Sequence, residues 1–409
     1  VKIAFVAGDD LTENPRIVRQ ARALAAAGHR VTAYGVLSPT TEEEDEAAGV
    51  VQVRVPLKDW RARGGGLRGP MRLARWFERF RPVAELAASR EKPEAIHAAD
   101  LDVALPAQDA AVALGVPFVL DVAGAAYVDR LEETVASGAA GLARVARPAA
   151  IRHLRRAGDA LERKLRRRGL TAVVADTESL ADDLERRYGG PRPFVVRSCA
   201  PLRGTAAKDD ALRRKVGAHP TDRLVLFIGP PTAGCGVDAA IRALRLLGDR
   251  RLLVVTDAAP GFSKFETLAE EVGVSAQVRL VPPTSEAETA RLVASADVAV
   301  VPTEPNTAAN RLGVPLRFYD ALAAGLPVVA SDTPEVGAIV RRTGAGVLYP
   351  ARSPQDPAAL AEGVHTLLED SALAATCAES ARRAAAAEFN WDLEGRYVVD
   401  LYDEVDKRR

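Results

Sequence analysis

The feature that most constrains this chain is an alternation of short apolar runs with amphipathic segments, which breaks off near the middle and then restarts. The first series opens with a strand from Lys2 to Ala7, a polar loop to Asn14, a helix from Pro15 to Ala27, Gly28 as its stop, and a strand from Arg30 to Val36. Pro15 suits the first helical turn, Asn14 the cap before it, and Gly28 the left-handed position after the end. The same rhythm resumes at AIHAADL, PFVLDVAG and AVVAD. The second series starts at Leu224 with LVLFIG, a glycine-rich loop and a helix from Val237 to Leu247, then runs through RLLVVTD, VRLVP, VAVVP and PVVAS. Repeated strand–helix alternation predicts parallel sheets covered by helices on both faces. Between the series, 197–222 holds Pro201, Gly204, Gly217 and Pro220 among charges, as linkers do.

The expected fold class is therefore α/β, with two doubly wound Rossmann-like domains over 1–200 and 201–385. A C-terminal helix over 386–409 is expected to cross back toward the first domain, burying Trp391, Leu393, Tyr397, Val398, Leu401 and Tyr402 on one face. Doubly wound sheets bind ligands beyond the carboxyl ends of their strands, so the two sets of loops are expected to face a cleft.

With 409 residues, 48% of them apolar, the chain can fill two cores. Its 55 basic and 55 acidic residues leave a formal net charge of zero, so no global field draws it to nucleic acid or to an anionic membrane. Two basic stretches, 58–81 and 152–168, read chiefly as solvated helix faces, with peripheral membrane docking the minor reading. Cys199, Cys235 and Cys377 lie too far apart for a metal cluster or a disulfide framework. With no signal-peptide pattern and no uncharged apolar run of about 20 residues, a soluble cytoplasmic protein is expected.

Two loops carry candidate chemistry. In FIGPPTAGCGVDAAI, Gly229, Gly234 and Gly236 let the backbone approach a ligand, and the following helix aims free N–H groups at it. This is phosphate-binding geometry, though glycine also serves such turns for steric reasons alone, and the stretch matches neither G-x-G-x-x-G nor the P-loop. In the first domain Gly8, Asp9 and Asp10 precede Arg16, whose guanidinium either meets a phosphate or caps a carboxylate such as Asp9. His97 and Asp100 follow a strand, Asp121 ends another, and Tyr127 lies in the loop after it; carboxylates there sit where ligands bind, whereas a lone His is more often a structural hydrogen-bonder. Farther on, Arg317 and Asp320 stand three apart on a helix before the turn AAGLPVVASD, spaced either for a plain surface ion pair or for a ligand.

In order and spacing, NPRIVRQARALAAAGHRVTAYG, AIHAADLDVALPAQDAAVALGVPFVLDVAG, TAVVADTESLADDLERRYG, VVRSCAPL, LFIGPPTAGCGVDAAIRAL and NRLGVPLRFYDALAAGLPVVASDTPEVGAIV together resemble the family 4-like glycosyltransferases of the GT-B fold. The resemblance implies a nucleotide-sugar donor in the second domain, a small-molecule acceptor in the first, retention of anomeric configuration and no required metal. It makes Asp320 the carboxylate that grips the ribose and Arg317 the cation beside the diphosphate. It adds Pro230, Val281, Pro282, Asn310, Pro315 and Leu316 to the donor side, with Gly8, Asp9, Arg16, Asp100, Ala123 and Tyr127 on the acceptor side. Catalytic roles are expected of Arg317, His97 and Asp121, and a homodimer stays open. The family's sugar-facing His is Ala123 here, its neighbouring Glu is Gly124, and another family Glu is Leu312. These losses imply a modified donor sugar, deoxy, amino or extended, as in specialised metabolism. A sugar-nucleotide epimerase or hydrolase, and a binding protein without turnover, are the alternatives.

Overall fold

The computed structural model describes residues 1–11, 14–38, 42–57, 78–124, 156, 160, 162–202, 210–229, 234–248, 251–256, 263–281, 292–352 and 356–407. The chain divides into two compact units, Val1–Arg197 with Gly395–Arg409, and Ser198–Glu394.

Unit 1 is built on strands β1 (Lys2–Ala7), β2 (Arg30–Val36), β3 (Glu44–Ala47), β4 (Val50–Val55), β5 (Ala95–Ala99), β6 (Phe118–Val122), β7 (Ala172–Ala175) and β8 (Phe194–Val195). They form one sheet in the order β3-β4-β2-β1-β5-β6-β7-β8, parallel except for β3 against β4. The parallel strands are almost continuously buried, as a sheet covered on both faces requires. The antiparallel edge is an addition to the expected pattern. Ala47 pairs with Val50 around the two-residue turn Ala48–Gly49, and both turn residues have positive φ, 55° and 77°. That is the hairpin geometry whose twist matches its strands, reached here without the usual Asn-Gly signal. Charged EDEA side chains on the outer strand discourage further pairing at this edge.

Unit 2 carries β9 (Arg223–Phe227), β10 (Arg251–Val255), β11 (Val278–Leu280), β12 (Val298–Val301), β13 (Val328–Ser331) and β14 (Gly346–Tyr349), all parallel. Their order β11-β10-β9-β12-β13-β14 is the Rossmann order, reversing between β9 and β12. In unit 1 the reversal lies between β1 and β5. Loops after these four strands therefore flank the crevices where such sheets take ligands. The three cysteines are buried and none forms a disulfide.

The helix Trp391–Lys407 buries Glu394, Val398, Leu401, Tyr402 and Val405, a stripe at helical spacing. Tyr397, expected inside, is 46% exposed, because it lies on the flank of the buried stripe, roughly 80° around the helix from its centre. Tyr402 lies in the core of unit 1, its hydroxyl 3.1 Å from His97 Nδ1. No helix among the described residues is long and apolar enough to cross a membrane.

Candidate nucleotide-sugar site

In unit 2 the site grows from the β9/β12 reversal. After β9 the chain reaches Gly229 (φ 94°), whose N–H donates to Thr256 Oγ1 at 3.0 Å beyond β10. Gly234 and Gly236 also have positive φ, 73° and 79°. The helix Val237–Leu247 follows; its cap residue Gly236 offers no side-chain acceptor, and although the Val237 N–H is engaged by the Cys235 sulfur, the N–H groups after it can serve a ligand. The segment after β12 pins this loop: Glu304 N and Asn310 Nδ2 both donate to the Gly234 carbonyl, at 2.9 and 3.3 Å. Asn310 also donates to Asn306 Oδ1 at 3.2 Å, so its side chain serves as a brace for the loop. Gly236 is essential for this approach, since a Cβ there would fall 1.7 Å from the Pro302 carbonyl oxygen. Gly236→Ala is expected to destabilise the protein by about 1–3 kcal/mol, read as a lower urea midpoint.

Arg317 comes from the helix Leu316–Ala324, which Phe318, Tyr319, Ala321 and Leu322 bury against the core and Gly325 ends in the left-handed conformation. Pro315 precedes it in extended geometry, and Leu316 is exposed. Arg317 does not pair with Asp320. Its guanidinium carbon lies 4.5 Å from the centre of the Phe227 ring at the end of β9, and its Nε is buried without a hydrogen-bond partner. No described residue offers it a hydrogen bond or an ion pair. Burial lowers its pKa, yet an arginine starts so high that the charge persists at neutral pH. The result is an uncancelled cation held at the carboxyl end of a central strand by an aromatic face. Asp320 is half-buried one turn further along. Val281 is buried, and its N–H donates to the Val255 carbonyl. Pro230 and Pro282 lie outside the described residues.

The sequence reading missed a second cation near the loop. Lys264, on the helix Ser263–Val272, borders a cavity of about 350 Å³ that is also lined by Gly234, Cys235, Asp238, Phe265 and Glu304. Burial, with Asp238 nearby, raises the pKa of Glu304. Nothing in SKFETLAEE marks this lysine, because it approaches the loop only through packing of two helices.

In unit 1 the structure brings Arg16, His97 and Asp121 together, but as a closed network. Arg16 donates from Nε and Nη2 to Asp121, at 3.1 and 2.8 Å, and from Nη1 to the Val196 carbonyl at 2.6 Å. Gln20 Nε2 donates to Asp121 at 2.6 Å, and His97 Nε2 sits 3.8 Å from the same carboxylate. Burial pulls the Asp121 pKa up, but Arg16 and His97 outweigh it and the carboxyl stays well below its usual range. The His97 ring is fully buried, stacked on Phe5 at 4.2 Å, and burial lowers its pKa. His97 and Asp121, for which catalytic roles are expected, are both enclosed and engaged by the protein, one with Tyr402, the other with Arg16 and Gln20. Arg16 thus engages Asp121, and Asp9 accepts from Asn14 Nδ2 at 3.4 Å.

Around this network, Gly8 packs near Val103, and Asp100 (φ 78°) caps the helix Leu101–Leu114 through the Leu101 N–H at 2.8 Å. Ala123 and Gly124 follow β6 half-exposed, and Tyr127 falls outside the described residues.

Residues 208–384 match the family described as glycosyl transferases group 1, and residues 13–199 match the glycosyl transferase 4-like domain. The chain belongs to the 4-like glycosyl transferases of group 1. A D-inositol 3-phosphate glycosyltransferase of Xylanimonas cellulosilytica is 31% identical over 251 residues, covering 58% of this chain and 58% of that protein. One from Salinispora arenicola is 30% identical, covering 61% and 60%. The chain thus spans less than two thirds of the length of the curated relatives it matches. Among solved structures, sucrose-phosphate synthase from Thermosynechococcus elongatus superposes with a TM-score of 0.79 at 18% identity over all of both chains. Anabaena HepE in complex with UDP-glucose superposes at 0.71 and 14%, covering 98% and 99%. These likenesses show the GT-B fold for this glycosyl transferase.

Proposed function

We propose that this protein transfers a sugar, with retention, from a nucleotide-diphosphate sugar to a small-molecule acceptor. The observation that carries the reading is Arg317 at the β9/β12 reversal, a half-buried cation that rests on the Phe227 ring and has no hydrogen-bond or ion-pair partner among the described residues. There the diphosphate takes hydrogen bonds from the guanidinium and from backbone N–H groups of the Gly234–Gly236 loop and its helix. Asp320 accepts from the ribose hydroxyls, and the backbone around Val281 and Pro282 meets the base. In the transition state Arg317 stabilises the charge that builds on the departing diphosphate. Unit 1 takes the acceptor, with Gly8, Asp9, Asp100 and Ala123 at the ends of its strands.

Ala123, Gly124 and Leu312 give the donor sugar no polar side chain where the family has a His and two Glu. A deoxy, amino or extended sugar, as in specialised metabolism, fits such a lining. The enclosure of His97 and Asp121 weighs against an epimerase, which needs a free acid and base at the anomeric centre.

A thermal-shift panel of UDP, GDP, TDP and ADP tests the donor site. The cognate diphosphate at 100 times its Kd is expected to stabilise by about 2.7 kcal/mol. No shift with any of the four, together with a blank titration calorimetry trace, rules the site out. Product that forms from a panel of nucleotide sugars only when an acceptor is added identifies the transferase.

A further inference from the structure

Asp176 lies just past the end of β7, next in register after the Ala175–Val122 pair, which places it beside Ala123. One carboxylate oxygen, Oδ2, accepts from the Gly124 N–H at 3.1 Å, and the other, Oδ1, is enclosed with no hydrogen-bond partner. The residue as a whole stays half-exposed at the ligand end of the sheet. An enclosed acceptor atom without a donor is unfavourable in the ligand-free protein, by the same argument that makes buried polar groups pair. The Gly124 N–H fixes the orientation of the carboxylate and leaves Oδ1 to a ligand.

We propose that Asp176 binds the attacking hydroxyl of the acceptor through Oδ1 and takes its proton during transfer. The inference rests on the transferase reading. In the step, the bond from the sugar's anomeric carbon to the diphosphate breaks and its electron pair stays on the diphosphate oxygen. The acceptor oxygen forms the new bond to that carbon on the face the diphosphate leaves, as retention requires, and its proton passes to Oδ1 and is released once product has departed.

The surroundings suit that role. Among the described residues the charged groups facing Asp176 are Arg16, from the helix after β1, and Asp121, at the end of β6. Burial raises the Asp176 carboxyl to about 6, Arg16 opposes that, and Asp121 adds to it. Arg16, although engaged by Asp121, still pulls the carboxyl down more than Asp121 pushes it up, and burial outweighs both. A base with a pKa near the working pH combines the correct protonation state with useful driving force.

The test uses the full chain with the donor and acceptor that turn over in the panel above, or water as acceptor with nucleotide-sugar hydrolysis as the readout. In the wild type, kcat/KM should rise with pH through about 6, the value to which the carboxyl is raised. Asp176→Asn should lose that rise and about 100-fold or more in kcat. Its melting shift with the nucleoside diphosphate should stay unchanged. Because the fold disfavours the ionised carboxylate, Asp176→Asn should also melt higher than wild type at pH 8 and not at pH 4, where wild-type Asp176 is protonated. Asp176→Ala serves as a second variant with the same expected loss of kcat. A variant that keeps kcat within about threefold, or keeps the pH-6 limb, overturns the inference while leaving the transferase reading intact. No turnover with any nucleotide sugar removes both.

Discussion

Arg16→Met is expected to lose about 3–5 kcal/mol of unfolding free energy in urea denaturation at pH 7. The two side chains are 8% and 2% exposed, so removing the guanidinium leaves the Asp121 carboxylate buried beside neutral Gln20 and His97, with the like charge of Asp176 nearby. That penalty comes from the stranded charge and exceeds the net worth of the intact pair. The double variant Arg16→Met with Asp121→Leu should therefore recover a large part of the loss, because an apolar replacement of both partners is often near neutral. pH gives an independent reading. The folded-state pKa of Asp121 is depressed, so its contribution is complete above the unfolded carboxylate value, about 3.9, and is lost as pH falls toward the folded pKa. Arg16→Met should lose this acid-side decline, since without the cation burial dominates and favours the protonated carboxyl. An unchanged acid limb in the variant would show that the pair does not control Asp121.

Arg317→Ala is expected to weaken nucleoside diphosphate binding by roughly 10- to 150-fold, the equivalent of about 1.5–3 kcal/mol for charge-assisted hydrogen bonds. Binding of the corresponding nucleoside should change by less than about twofold, because it presents no phosphate to the guanidinium. Isothermal titration of the two ligands against both proteins reads the contrast directly. Folding should tolerate the change, since among the described residues Arg317 forms no ion pair and gives up its contact with Phe227, about 0.5–2 kcal/mol. Equal loss for nucleoside and diphosphate would show a collapsed site in place of a missing cation. Arg317→Lys should restore only part of the affinity, because an ammonium provides the charge without the fork that bonds two phosphate oxygens at once.

Periodicity carried most of the fold. Asn14, Pro15 and Gly28 mark the first helix because capping chemistry is local, and Asn14 does accept the Ile17 N–H. Apolar runs such as LVLFIG and PVVAS mark strands buried on both faces. The Ala48–Gly49 hairpin escaped notice because alanine in a left-handed turn has no sequence signature. The same limit applies to the site. The Phe227 ring under Arg317 is 90 positions away in sequence, and no spacing rule links them. His97 and Asp121 sit where strands end, which is where ligands bind, but enclosure by Tyr402, Arg16 and Gln20 depends on side chains drawn from distant segments. Asp176 was read as an ordinary strand end in AVVAD. Its unpartnered oxygen arises from the register of β7 against β6, a tertiary fact.

The seat of Arg317 on Phe227 bears on how quickly a ligand can be exchanged. Had a carboxylate held the guanidinium, every arriving diphosphate would first have to displace an anion of its own sign, and every departing one would meet a competitor. A ring face attracts the cation without neutralising it, so the full positive field reaches outward before contact and nothing must be unbound first. Association should accordingly slow as ionic strength rises, while dissociation stays nearly constant.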